Sequence, residues 1–144
     1  MKFKITNDNL IEDFFAYSRL IGIIAPLNDY KFIWYVNRQF GYNFRINNSL
    51  EIQLKKKERN YFFSIYQYDV PGCCVVHYLY KNQFDGEYLL PEFKHLDFLW
   101  LIKGEEMEEE DLKPMIDTIK SLPGVQLVSE MTNEKIKNKQ HLIL

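Results

Sequence analysis

Two consecutive segments of this chain, residues 61–68 and 73–80, read as strands yet carry apolar side chains on both faces. Phe63 and Ile65 stand against Phe62 and Tyr66 in the first, and Val75 and Leu79 against Val76 and Tyr78 in the second. Successive side chains of a strand point to opposite faces. A strand that is apolar on both must therefore be covered on both, by the rest of the chain or by a partner. Turn residues close the two segments, Val70-Pro71-Gly72 after the first and Lys81-Asn82-Gln83 after the second. The sequence thus asks for a sheet with a layer above it and a layer below.

The remaining elements follow from periodicity and punctuation. Residues 20–25 form a short, β-branched apolar run stopped by Pro26 and read as a buried strand. Asn28 or Asp29 offers an N-cap to a helix over 29–40. Phe32, Ile33, Val36 and Phe40 repeat there at helical spacing, and Gly41 stands at C′. Phe44-Arg45-Ile46 begins a strand and residues 50–54 alternate clearly. Residues 55–60 are a polar, mostly basic turn. Tyr88-Leu89-Leu90 is a short segment before Pro91, and residues 96–102 form a strongly apolar strand ended by Lys103-Gly104. A second helix spans about 108–122, with Leu112, Met115, Ile116 and Ile119 as its stripe. Pro114 belongs in a first turn, which puts the true start near Asp111. Residues 125–131 read as a last strand and 135–144 as a tail. The first fourteen residues are ambiguous: Lys2-Phe3-Lys4-Ile5 alternates like a strand, and residues 8–15 suit a helical turn.

The order β-α-β-β-β-β-α-β predicts an α+β fold: a mixed, mostly antiparallel sheet of about five or six strands with two main helices. Residues 98–131, as strand-helix-strand, suit a parallel pair joined by a crossover. A ferredoxin-like variant has this order. The chain has 144 residues, 47% of them hydrophobic, and no linker or repeat, so a single domain over 1–144 is expected. The aromatic share of 16% supports a sheet-rich core, or else an aromatic binding or dimer face. A net charge of −2 gives no general attraction to nucleic acid. No apolar run is long enough to span a membrane, and the first ten residues lack a signal core, so a cytoplasmic protein is expected.

The segment Leu90-Pro91-Glu92-Phe93-Lys94-His95-Leu96-Asp97-Phe98 resembles the signature of the bacterial IPExxxVDY family. Pro91, Glu92 and Asp97 match it; Leu90, Leu96 and Phe98 depart from it but keep its apolar character. Gly22-Ile23, Asp29-Tyr30, Asn37 and Leu101-Ile102-Lys103-Gly104 extend the likeness along the chain. The family has no established activity or ligand, so the resemblance implies a bacterial single-domain protein and assigns no catalytic residue.

Glu92, His95 and Asp97 are the candidate site residues. Two carboxylates about a histidine beside a proline turn could do acid–base work or hold a cation. The structural alternative has Glu92 bonding nearby backbone N–H groups and Asp97 pinning the start of the strand. His77 reads as a buried, hydrogen-bonded strand histidine. Cys73 and Cys74 are too close in sequence for an unstrained disulfide, and strand alternation would bury one thiol. His141 falls in the tail. No zinc spacing, calcium loop, phosphate loop or nucleophile elbow is present, so no metal or cofactor is expected. Residues 105–111 are carboxylates at every position except Met107, and they complement the positive end of the second helix. The basic residues Lys55, Lys56, Lys57 and Arg59 read as a solvated turn. With no catalytic set, the expected function is a non-catalytic binding or interaction module, with a homodimer through an apolar or aromatic surface as one form. The alternative is a small-molecule enzyme or sensor with a carboxylate pocket near residues 90–98.

Overall fold

The computed structural model describes residues 10–56, 58–132 and 136–144. The alternation at residues 2–5 lies outside them, while residues 10–15 are helical. The elements are then β1 (Ser18–Ile24), α1 (Asp29–Phe40), β2 (Arg45–Lys56), β3 (Arg59–Asp69) and β4 (Val76–Lys81). A small hairpin follows, β5 (Gln83–Phe84) with β6 (Glu87–Tyr88), then a 3-10 turn at Pro91–Phe93. β7 (Phe98–Lys103), α2 (Glu109–Lys120), β8 (Leu127–Met131) and a 3-10 turn at Lys139–Leu142 complete the chain.

Six strands form one sheet in the order β2-β3-β4-β7-β1-β8, and each neighbouring pair is antiparallel. The fold is α+β. The expected mixed sheet is corrected in one respect: no two adjacent strands are parallel. β7 and β8 do run parallel, joined by α2, but β1 lies between them. That is a split β-α-β unit, the building block of ferredoxin-like sheets. Here the meander β2-β3-β4-β7 makes the sheet one hairpin wider.

The chain covers both faces of its own sheet. On one face, α1 contributes Phe32, Ile33 and Val36, and α2 contributes Leu112, Met115 and Ile119. They pack on Ile21, Ile23, Leu79, Phe98 and Trp100, with Phe32 stacked on Phe98 at 4.4 Å between ring centroids. On the other face, Phe15, Leu89, Leu90, Leu96, Ile136 and Leu142 cover Leu20, Tyr80, Leu99 and Leu101. β7 is buried at five successive positions because it sits between these layers. Burying a Leu, Ile or Phe side chain contributes about 1.5–3 kcal/mol, so each layer supplies a substantial part of the stability. The chain thus covers most of the apolar strand faces itself, while Ile46 and Phe62 of the β2–β3 hairpin stay exposed.

Local boundaries follow the chemistry, with four corrections. α1 starts and stops where predicted, and Gly41 ends it in the left-handed region at φ 70°, but Asn28 holds the N-cap position without a side-chain capping bond, its Nδ2 donating to the Tyr30 hydroxyl instead. The two segments expected at 44–46 and 50–54 are one strand, β2, whose register with β3 shifts between Ile46 and Glu51. Cys73 and Cys74 are not in a strand. The turn after β3 is longer than Pro71-Gly72 alone, closed by Val70 N–H donating to the Val75 carbonyl at 3.0 Å, and both thiols are exposed. α2 begins at Glu109, so Pro114 lies inside the helix. Its missing N–H leaves the Glu110 carbonyl without a helix partner, at an exposed position where water can take its place. Residues 136–144 are not a loose tail: Ile136 and Leu142 are buried, and the Tyr80 hydroxyl donates to the Leu142 carbonyl at 2.7 Å. Lys135 lies outside the described residues. Among the described residues, no helix is long and apolar enough to cross a membrane.

Candidate functional site

The segment that carries Glu92, His95 and Asp97 crosses the non-helical face of the sheet between β6 and β7. Pro91 opens its 3-10 turn, and Asn82 holds it from below through bonds to Leu90, Phe93 and Leu96. Glu92 spends both carboxylate oxygens on the C-terminal segment. Oε2 accepts from the backbone N–H groups of Lys137 at 2.6 Å and Asn138 at 2.8 Å, and Oε1 accepts from Asn138 Nδ2 at 2.8 Å. Asp97 Oδ2 accepts from the Ala25 N–H at 2.8 Å, tying the start of β7 to the end of β1. His95 is exposed and meets the edge of Phe93. The two carboxylates thus act on different backbone segments, and among the described residues no cluster of His, Cys, Asp and Glu is placed to hold a metal ion.

Glu92 carries a testable consequence. Burial alone would push its carboxyl pKa up, but the bonds from Asn138 and Lys137 outweigh that and hold it below the usual value of 4.5. A depressed folded-state pKa gives stability that is present above the unfolded value and lost as pH falls below it. Glu92→Ala should therefore free the C-terminal segment at neutral pH, at a cost of about 1–2 kcal/mol. Hydrogen exchange at the Lys137 and Asn138 amides reads it. Wild-type protein should show the same loosening as pH drops below about 4.5. Unchanged protection in the variant would contradict the tether.

Two residues of the basic turn are paired within the chain. Lys56 pairs with Glu87 at 3.0 Å, and Arg59 pairs with Asp85, so the β2–β3 turn is held against the β5–β6 hairpin. Lys57 lies outside the described residues. His141 contacts the Leu89 carbonyl through Nδ1 at 2.7 Å and is part of the packed C-terminal segment.

The chemistry that does converge lies on the helical face, at His77. A cleft of about 310 Å³ opens there between the end of α1, the start of β4, the end of β7 and the start of α2. Phe40, Tyr42 and His77 line it on one side, Met107 and Met115 on another, and Glu105, Glu106 and Asp111 at the rim. The surrounding rings form a continuous cluster. Tyr42 stacks on Phe40 at 5.0 Å and on Tyr68 at 4.5 Å, and lies 5.2 Å from the His77 ring. Phe44 and Trp100 complete it.

His77 is 5% exposed. Its Nδ1 accepts a bond from Trp100 Nε1 at 2.9 Å. Indole is a donor only, so Nδ1 is unprotonated and the neutral ring carries its hydrogen on Nε2. Nε2 has no partner among the described residues, yet no fully enclosed side-chain nitrogen or oxygen among them lacks one. Nε2 therefore has its opening at the cleft that His77 lines. Burial pulls the His77 pKa down from 6.5 to about 4, so the ring is neutral at physiological pH. Burial, and then Tyr68 nearby, raise the Tyr42 pKa. The floor of the cleft is thus uncharged, aromatic and equipped with one N–H donor.

The backbone holds the rim in place. Gly104 ends β7 at φ 116°, and a Cβ there would collide with the Cys74 carbonyl. Glycine alone lets the two turns close up and sets Glu105 over the cleft. Cys74 donates its thiol to Gly104 O at 3.3 Å and to Glu105 Oε1 at 3.4 Å. The bond to Glu105 raises the thiol pKa, the opposite of what activates a cysteine nucleophile. Nothing in the cleft resembles a nucleophile with its base.

A larger cleft of about 560 Å³ lies between residues 10–14 and 140–144. It is mainly apolar, with Asp13 and Gln140 as its polar side chains, and has no buried titratable group. Convergent polar groups on an apolar floor distinguish a binding site from a surface groove, and the His77 cleft alone of these two has them. Sequence reading identified His77 as buried and hydrogen-bonded but did not link it to Trp100, Tyr42 or the acidic run. Comparison of the chain with protein families, with curated proteins and with solved structures finds no match.

Proposed function

We propose that this chain is a non-catalytic binding domain that takes a small organic ligand in the cleft over His77. The observation that carries the reading is the unpartnered Nε2–H of a histidine 5% exposed, at the floor of an aromatic-walled cleft. Because Nε2 opens on the cleft, solvent reaches it there, and a ligand acceptor would take the place of that solvent. The Trp100 indole N–H, bonded to the same ring, is the reporter. In a screen of fragments of mixed charge, bound fragments should shift the Trp100 indole and Met107 methyl resonances, and His77→Phe should abolish those shifts. A screen in which no fragment moves either resonance in folded protein would sink the proposal.

Self-association is a second reading, favoured by one observation. Tyr30 and Trp34 are 68% and 54% exposed, one turn apart on α1, with Arg38 lying over the Trp34 ring. Aromatic and Arg side chains of this kind are common anchors of interfaces. On the sheet, Ile46 and Phe62 of the β2–β3 hairpin are exposed as well. Sedimentation at micromolar concentration decides it, and a monomer that stays monomeric ends it. Kinship with the IPExxxVDY family is proposed on Pro91, Glu92 and Asp97 together with the longer likeness along the chain. In that kinship the signature residues serve the fold.

A further inference from the structure

We infer that the ligand of the His77 cleft is an organic cation, a quaternary or protonated amine with a hydrogen-bond acceptor a few bonds from its nitrogen. The inference rests on the binding reading above and deepens it. Three observations act together. The first is the aromatic lining: the Phe40 and Tyr42 rings line the cleft, Tyr42 is itself stacked on Phe40 and Tyr68, and the attraction of a cation to a ring face through its quadrupole therefore falls to Phe40. The second is the rim. Glu105, Glu106 and Asp111 bring three carboxylates, and among the described residues none of them forms an ion pair; the side-chain bond that reaches them there is from the Cys74 thiol to Glu105. The nearby Arg19 does not neutralise them, because it is engaged by Glu109, Glu130 and the Met107 carbonyl. The positive end of α2 amounts to about half a charge and is shared by Glu109, Glu110 and Asp111 in its first turn, which leaves Glu105 and Glu106 outside its reach.

The third observation is His77 itself. An acidic rim alone is a solvated surface, but here it stands over a nearly buried imidazole whose Nε2–H opens on the cleft and has no partner among the described residues. That donor would serve an acceptor on the ligand, such as a hydroxyl, ether or carbonyl oxygen. The carboxylates do not converge as metal ligands do among the described residues. Their spread suits a bulky, diffuse cation rather than a compact metal ion, which needs oxygens at 2.0–2.6 Å.

The test uses three probes of one shape and three charges: choline, its uncharged carbon isostere 3,3-dimethylbutan-1-ol, and the anion 3,3-dimethylbutanoate. Trp34→Phe leaves Trp100 as the sole tryptophan of the two in the chain, so its fluorescence and indole resonance report on the cleft. Choline should bind saturably and at least about tenfold more tightly than the neutral isostere, with the anion excluded. The triple variant E105Q/E106Q/D111N, altered only at exposed positions, should erase most of the gap between choline and the isostere. Added salt should narrow it in the parent protein. Equal binding of choline and its isostere, or a preference for the anion, overturns the cation inference and leaves the cleft as a ligand site. So does a gap that survives in the triple variant. If none of the three binds while a neutral fragment does, the cation inference alone is lost. If no probe or fragment perturbs Trp100, the binding reading falls with it.

Discussion

Asn82→Asp should remove about 3–5 kcal/mol of stability at neutral pH, a large share of the roughly 5–15 kcal/mol of an ordinary domain. Asn82 is fully buried at the end of β4. Its Nδ2 donates to the carbonyls of Phe93 and Leu96, both at 2.9 Å, and its Oδ1 accepts from the Leu90 N–H at 2.9 Å. Its backbone also bonds Asp97 O at 3.0 Å and the Leu89 N–H at 2.8 Å. One residue thus holds residues 89–97 against the sheet. An aspartate has nearly the same shape but would turn an oxygen toward two carbonyl oxygens and bury a charge without a counter-ion. Acidification should partly rescue it, because a protonated carboxyl can donate to one of the two carbonyls. Asn82→Ala should fall in the same range without that rescue, since it leaves two acceptors and a donor unsatisfied. Denaturant midpoints at neutral and acid pH separate the two variants. Midpoints equal to wild type would show that Asn82 does not anchor the segment.

The case of Asn82 shows what the sequence disclosed and what it withheld. Local signals with a short physical range were legible. Asn28, the Phe32-Ile33-Val36 stripe and Gly41 delimit α1, and double-faced apolarity identified strands that need cover on both sides. Signals that depend on three-dimensional return of the chain were not. Asn82 stands in a polar triplet that reads as a turn, and only the path of residues 89–97 makes it interior. Residues 135–144 contain enough lysine and glutamine to read as a tail, yet Ile136 and Leu142 at separated positions are what dock. For Glu92 and Asp97, sequence placed two carboxylates near a turn but could not show that their oxygens answer N–H groups at 137–138 and 25. The His77 cleft was hidden for the same reason. His77 pairs across the sheet with Ile102, and Leu79 with Trp100. The imidazole and indole are therefore diagonal neighbours on one face, within reach of long aromatic side chains, a relation that exists only once the register is set.

That diagonal pair makes stability depend on pH in a way that can be assigned to one residue. Burial depresses the His77 pKa from 6.5 to about 4 in the folded protein. The Trp100 bond acts in the same direction, because protonating Nδ1 would set two N–H donors against each other. The unfolded chain binds the proton first as pH falls, so stability is fully present above about 6.5 and is lost progressively down to about 4. Each pKa unit is worth about 1.4 kcal/mol, which gives a loss of about 3 kcal/mol across the window. Tyr42 and Tyr68 face the ring, and burial raises the Tyr42 pKa, while the carboxyl groups of Glu105, Glu106 and Asp111 at the rim would favour the imidazolium and work against the loss. His77→Phe should lower stability at every pH by stranding the Trp100 indole N–H, yet flatten the profile between about 6.5 and about 4.5. The slope, rather than the absolute value, is therefore the quantity to compare. In the wild type the Trp100 indole proton should also shift with an apparent pKa near 4. If the variant and the parent lose stability in parallel through that window, His77 is not held neutral by the fold. The donor assigned to the cleft floor would then lose its basis, because the Nε2–H follows from Nδ1 accepting the indole bond.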